Sequence, residues 1–199
     1  MPLSTFLGLA IAICDTLGRI HAANVIHKDI KPKNIFIRSE GDGDSELSTV
    51  IGDFDESFHR GDDLASKGFE PLMTTTQYAN PHFLDCGATL DPGLEDDFQL
   101  FKEQDYFSFG MTILEIIKSQ HPEEFDHELS NHSFWQIIEL LNAESDPFVH
   151  EKDHLLNFLA AQPDTELRKA ETLRSLLDCA LNLDLKHRCY QFKELCSSL

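Results

Sequence analysis

The sequence predicts an α+β protein that is mostly α. Three observations carry that reading: an opening amphipathic helix, one short strand pair around a Gly/Asp-rich loop, and a run of helices that fills most of the remaining chain. At 199 residues there is room for a single domain, 1–199, with a sizeable core.

Residues 4–24 read as the first helix, because Phe6, Ala10, Ile13, Leu17 and Ile20 recur every three or four positions and form one apolar stripe. Val25 and Ile26 then begin a loop that contains Pro32. Residues 34–38 and 47–53 read as short strands joined by the hairpin loop Gly-Asp-Gly-Asp-Ser-Glu. Residues 55–82 are rich in Gly, Asp and Thr without periodicity, which predicts a long surface loop. Residues 84–104 carry Gly, Pro and many acids, and read as a second loop inserted into the domain. Residues 106–117 are apolar almost all round, as in a helix buried on every side. Ser133 and Gln136 have capping-box spacing at the start of another helix. Helices over 151–161, 165–183 and 188–198 complete the order.

Sixteen basic residues against 35 acidic ones leave a net charge of −19. That balance argues against nucleic-acid binding and against docking on an anionic membrane, since both need a basic surface. It favours cations and basic protein partners. The cysteines Cys14, Cys86, Cys179, Cys189 and Cys196 are odd in number, widely spaced and without a C-x-x-C pair. Buried thiols in a reducing, cytoplasmic setting are therefore expected. The apolar run 6–14 is too short to span a bilayer and follows no basic stretch, so it does not read as a signal peptide.

The chemistry-bearing stretch is His27-Lys28-Asp29-Ile30-Lys31-Pro32-Lys33-Asn34, followed by a strand and then Asp53-Phe54-Asp55. Phosphoryl transfer needs a carboxylate to accept the proton of the attacking hydroxyl. It also needs a carboxylate and an amide to hold Mg²⁺ on the nucleotide phosphates, and a lysine to neutralise the transferred group. Asp29, Asp53, Asn34 and Lys31 supply one residue of each type in that order.

These residues resemble the protein kinase family. The octapeptide is similar to the catalytic loop H-R-D-x-K-P-x-N, and Asp53-Phe54-Asp55 is similar to D-F-G. Further on, Thr75-Thr76-Gln77-Tyr78-Ala79-Asn80-Pro81-His82 resembles the end of an activation segment. Asp105-Tyr106-Phe107-Ser108-Phe109-Gly110 resembles D-x-W-S-x-G, and Leu183-Asp184 with Arg188 resembles L-D-x-x-x-R. The resemblance implies ATP and Mg²⁺ as cofactors and a protein substrate or binding partner. It makes Asp29 the base, Lys31 the γ-phosphate contact, Asn34 and Asp53 the metal ligands, and Phe36 the residue under the adenine ring. His27, Phe54, Thr75 and Asp105 would support the site, with 55–82 as activation segment. Lys31 favours serine/threonine specificity.

The resemblance also implies a protein-kinase-like fold consisting of the helical large lobe, with a short β-hairpin at the catalytic cleft. Nothing before residue 27 resembles the small lobe's glycine-rich loop, lysine-bearing strand or helix glutamate, so that N-terminal lobe is expected to be missing. Three motif positions depart: Lys28 for arginine, Asp55 for glycine and His82 for glutamate. Two alternatives follow: a catalytically degenerate interaction module, and a small-molecule phosphotransferase, whose D-F-D motif Asp53-Phe54-Asp55 also resembles. His150-Glu151-Lys152-Asp153-His154 matches the zinc motif H-E-x-x-H, but its charged middle residues suit a solvated helix surface.

Overall fold

The computed structural model describes residues 3–39, 47–63, 74–86, 89–120, 157 and 167–181. Helix α1, Leu3–Ala22, forms where the apolar stripe predicted it. Its Phe6, Ala10, Ile13 and Leu17 are buried against Ile51, Phe109 and Leu177. The chain leaves α1 through Asn24, whose φ of 57° is the left-handed conformation that asparagine tolerates at a helix end. The stretch Thr5–Ala22 is long and apolar enough to cross a membrane by composition, which a 6–14 reading did not anticipate; here its stripe serves the core.

Two small antiparallel sheets follow. Strands β2 (Ile35–Ser39) and β3 (Leu47–Ile51) form the expected hairpin, with Ile35 opposite Ile51 and Phe36 opposite Val50. The second sheet was not foreseen. Val25–Ile26, expected as loop, is strand β1, and it pairs with β4, Phe58–His59, inside the expected loop 55–82. Two-residue strands are too short to display a period of two, so alternation gave no signal.

Helices α2 (Pro81–Cys86), α3 (Glu95–Gln120) and α4 (Leu167–Ala180) make up the other described layer. The loop reading of 84–104 fails over residues 84–86, the end of α2, and over residues 95–104, the first turns of α3. Glu95, Asp96 and Asp97 suit a helix N-terminus, where the macrodipole favours negative charge. Phe98 and Phe101 are buried against Phe58 and Phe83 in a second apolar cluster. Periodicity was masked because Glu103, Gln104 and Asp105 are buried as well.

Gly110 sits where α3 meets α4. A β-carbon there would lie 2.7 Å from Leu181 Cδ2 and 3.0 Å from Ala180 Cβ, so only glycine permits this approach. Cys14 departs from the expectation of buried thiols: it is disulfide-bonded, whereas Cys179 is a buried thiol outside any disulfide. The expected helices starting at 133, over 151–161 and over 188–198 lie outside the described residues, Asn157 apart, as does the H-E-x-x-H match.

Candidate active site

Three elements converge on the loop between β1 and β2. From α3, Asp105 accepts the backbone N–H groups of His27 (2.9 Å) and Lys28 (2.8 Å) on its two carboxylate oxygens. From α1, His21 Nε2 meets the same carboxylate at 2.8 Å. From residue 74, the Thr74 hydroxyl donates to the Lys28 carbonyl at 2.6 Å. Lys28 is thereby held on both sides in a left-handed conformation, φ 68°, that a lysine rarely adopts, because its β-carbon crowds the backbone there.

The ring of His27 fixes the far side of the loop. The Asp29 N–H donates to His27 Nδ1 at 3.3 Å, which makes Nδ1 the acceptor and leaves Nε2–H to donate to the Gly52 carbonyl at 3.0 Å. The half-exposed Phe54 ring packs on the imidazole at 4.7 Å.

Asp29 therefore stands on a constrained backbone, and its carboxylate is constrained too. Lys31 Nζ lies 2.6 Å from Oδ2, and the Thr75 hydroxyl donates to Oδ1 at 2.6 Å. Lys31 Nζ also donates to Thr75 Oγ1 at 2.9 Å, closing a triangle. Asn34 Nδ2 donates to the Asp29 carbonyl (2.8 Å) and to Oδ2 (3.1 Å). Burial pushes the Asp29 carboxyl pKa up, but the hydrogen bonds from Lys31 and Thr75, the Lys31 charge and the Asn34 amide outweigh it. The net pKa lies below the ordinary aspartate value, so the carboxylate is ionised at neutral pH.

The hairpin brings the remaining predicted residues to the same end. Gly52 N–H donates to the Asn34 carbonyl at 2.9 Å, directly beyond the Ile35–Ile51 pair, so Asn34 and Asp53 flank one another across the strand ends. Both amide hydrogens of Asn34 are turned toward Asp29, which leaves Oδ1 as the atom available to a cation. Asp53 is exposed, with a left-handed φ of 64°. Among the described residues no three His, Cys, Asp or Glu side chains cluster closely enough to hold a metal alone. An oxygen set of one amide and one carboxylate suits Mg²⁺, which binds through one or two protein ligands and completes its shell with water and phosphate.

Phe36 is 58% exposed on the outer hairpin face beside Val50, apart from the hydrogen-bonded cluster. It lies over Gly52, where an added β-carbon would come within 2.9 Å of Phe36 Cε2. Of the departing motif positions, Asp55 does not adopt a positive φ, so this backbone does not require glycine there. Lys28 is 2% exposed, turned into the molecule.

Sequence reasoning assigned no role to His21, Gln104 or Glu115. His21 falls four residues after Leu17 on the buried stripe of α1, a polar side chain where an apolar one is expected. Gln104, Ser108 and Thr112 recur every four residues on α3 and are all buried. Tyr78 OH donates to the Glu115 carboxylate, further along the same helix. Burial, that carboxylate and the Asp29 charge push the Tyr78 phenol well above its usual range.

The family described as the protein kinase domain matches residues 6–198. Wall-associated receptor kinase-like 21 of Arabidopsis thaliana is 35% identical over 126 residues, covering 58% of this chain and 17% of that protein. The probable serine/threonine-protein kinase kinY of Dictyostelium discoideum is 27% identical over 118 residues, covering 58% of this chain and 18% of that protein. A leaf rust 10 disease-resistance locus receptor-like protein kinase-like 1.4 of Arabidopsis thaliana is 24% identical over 197 residues, covering 88% of this chain and 27% of that protein. The chain thus spans only a small part of the length of these relatives. With the family model matched over residues 6–198, nearly the whole chain, this chain belongs to the protein kinase domain family.

Proposed function

We propose that the chain transfers the γ-phosphate of ATP, with Mg²⁺, to a serine or threonine hydroxyl of a protein. The observation that carries this reading is the clamp on Asp29: an ionised carboxylate fixed by Lys31, Thr75 and Asn34. A general base must lie within hydrogen-bond reach of the proton it takes, and the closed triangle fixes where the acceptor hydroxyl has to approach. Lys31, shared between Asp29 and Thr75, is placed to neutralise charge on the phosphoryl group as it passes. Asn34 Oδ1 and Asp53 are the residues that would hold Mg²⁺; the bound ion would neutralise phosphate charge. Phe36 offers an apolar surface for the adenine.

The net charge of −19 supports a basic acceptor segment. Of the three kinases named above, the similarity to kinY, a probable serine/threonine-protein kinase, supports the hydroxyl acceptor, and Lys31 and Thr75 favour a protein kinase over a small-molecule phosphotransferase. The cytoplasmic placement suggested by cysteine usage has a counter-observation in the Cys14 disulfide.

Thermal unfolding with ATP tests the binding step. A ligand that binds only the native state raises the midpoint, and at about 100 times its Kd it adds roughly 2.7 kcal/mol. Mg²⁺-dependent stabilisation of the wild type, lost in Asp53→Asn, is expected. Stabilisation without phosphate incorporation into any protein would favour the interaction-module alternative, and no stabilisation would sink the nucleotide site.

A further inference from the structure

Gln104 is fully buried in α3 and belongs to no motif described above, yet both ends of its amide are used on one short segment. Its Oε1 accepts the Asn80 N–H at 2.8 Å. Its Nε2 donates to Ser108 Oγ at 2.9 Å and, more weakly, to the Tyr78 carbonyl at 3.4 Å. The Ser108 hydroxyl donates to that carbonyl at 2.8 Å. The side-chain amide thus replaces a neighbouring strand: it takes one backbone N–H and, with Ser108, serves the carbonyl two residues earlier. Buried backbone groups need such partners, and among the described residues no strand pairs with residues 78–80.

The segment held this way leads straight to the base. A single 3-10 turn, Thr76–Tyr78, separates the latch from Thr75, and the Tyr78 N–H donates to the Thr75 carbonyl at 2.9 Å. Thr75 in turn touches both Asp29 and Lys31. Tyr78 is secured a second time through its hydroxyl on Glu115. We infer that Gln104, with Ser108, is a positioning residue for phosphoryl transfer: it fixes the acceptor-side wall at residues 75–80 against Asp29. The inference rests on the proposed activity for its kinetic consequence, but its structural content stands apart from that activity.

The geometry separates two halves of the site. Asn34 and Asp53 are set at the hairpin ends, with the Asn34 amide on Asp29, whereas the hydrogen bonds of Gln104 run to Asn80, Tyr78 and Ser108. Gln104→Met keeps the length of the side chain and removes its polar atoms. It is expected to raise the KM for a basic peptide acceptor about tenfold, while the Mg²⁺-dependent midpoint shift with ATP stays as in the wild type. Loss of nucleotide stabilisation in step with the acceptor effect, or an unchanged acceptor KM, would overturn the assignment. Ser108→Ala, a milder change that leaves the Asn80 bond intact, supplies the same comparison if Gln104→Met fails to fold.

A double-mutant cycle needs no turnover. Thr75→Val releases the same segment from Asp29. If Gln104 and Thr75 hold one wall, the midpoint drop of the double variant falls short of the sum of the two single drops by about 2 °C or more. Additive drops would refute the latch. A wild type that phosphorylates nothing would refute the proposed activity, and the cycle would still decide the role of Gln104.

Discussion

Asp29 gains both its geometry and its ionisation from Lys31 and Asn34 in its own loop and from Thr75, 46 positions further on. Because its folded pKa is depressed, it contributes stability that is fully present above the ordinary aspartate pKa and is lost as pH falls through the lower folded value. Thr75→Val removes one of the bonds that depress it. The folded and unfolded pKa values then lie closer together, and less stability depends on the acid limb. Thermal midpoints measured from pH 7 down to about pH 3 are expected to fall less steeply in Thr75→Val than in the wild type; a steeper fall would contradict this balance of terms. Asp29, Lys31 and Asn34 were legible together, because they lie within one loop and their chemistry is complementary. Thr75 bonds Asp29 across 46 positions, and only the family resemblance linked the two. His21 and Gln104 stayed hidden because a buried polar residue on a helix has the same spacing as an apolar one.

At the scale of elements, the packing of α3 is the feature most exposed to test. Gly110→Ala would place a methyl group against Leu181 and Ala180 at distances shorter than van der Waals contact. Overpacking of this kind costs about 1–3 kcal/mol, so a clear drop in the thermal midpoint is expected, and a neutral result would show that α4 can move away. The opening helix was readable because its stripe is apolar from Phe6 to Ile20, and the β2–β3 hairpin because turn residues separate two β-branched runs. The first turns of α3 were not, since the residues that bury there mix phenylalanines with Glu103, Gln104 and Asp105. Strands β1 and β4 are formed by their tertiary neighbours: Ile26 and Phe58 are buried in the second apolar cluster, and that burial rather than local propensity aligns the pair.

For the whole molecule, the charge imbalance has a consequence independent of the site. Sixteen cations among 35 acids leave net self-repulsion, which salt screens. Raising sodium chloride from about 10 mM to about 300 mM shortens the Debye length several-fold and is expected to raise the unfolding midpoint; a falling midpoint would mean that local ion pairs such as Arg60 with Glu95 outweigh the global term. The fold and the site together make a stronger claim, that Asp29 takes the acceptor proton while Asn34 and Asp53 serve the nucleotide. The most direct measurement is single-turnover phosphate transfer from ATP to a basic protein acceptor by the wild type and by Asp29→Asn, with Mg²⁺-nucleotide binding measured on both. The expected result is a loss of transfer of about 10²- to 10⁴-fold in the variant with nucleotide binding retained. Equal transfer by the two proteins would contradict the assignment of the base.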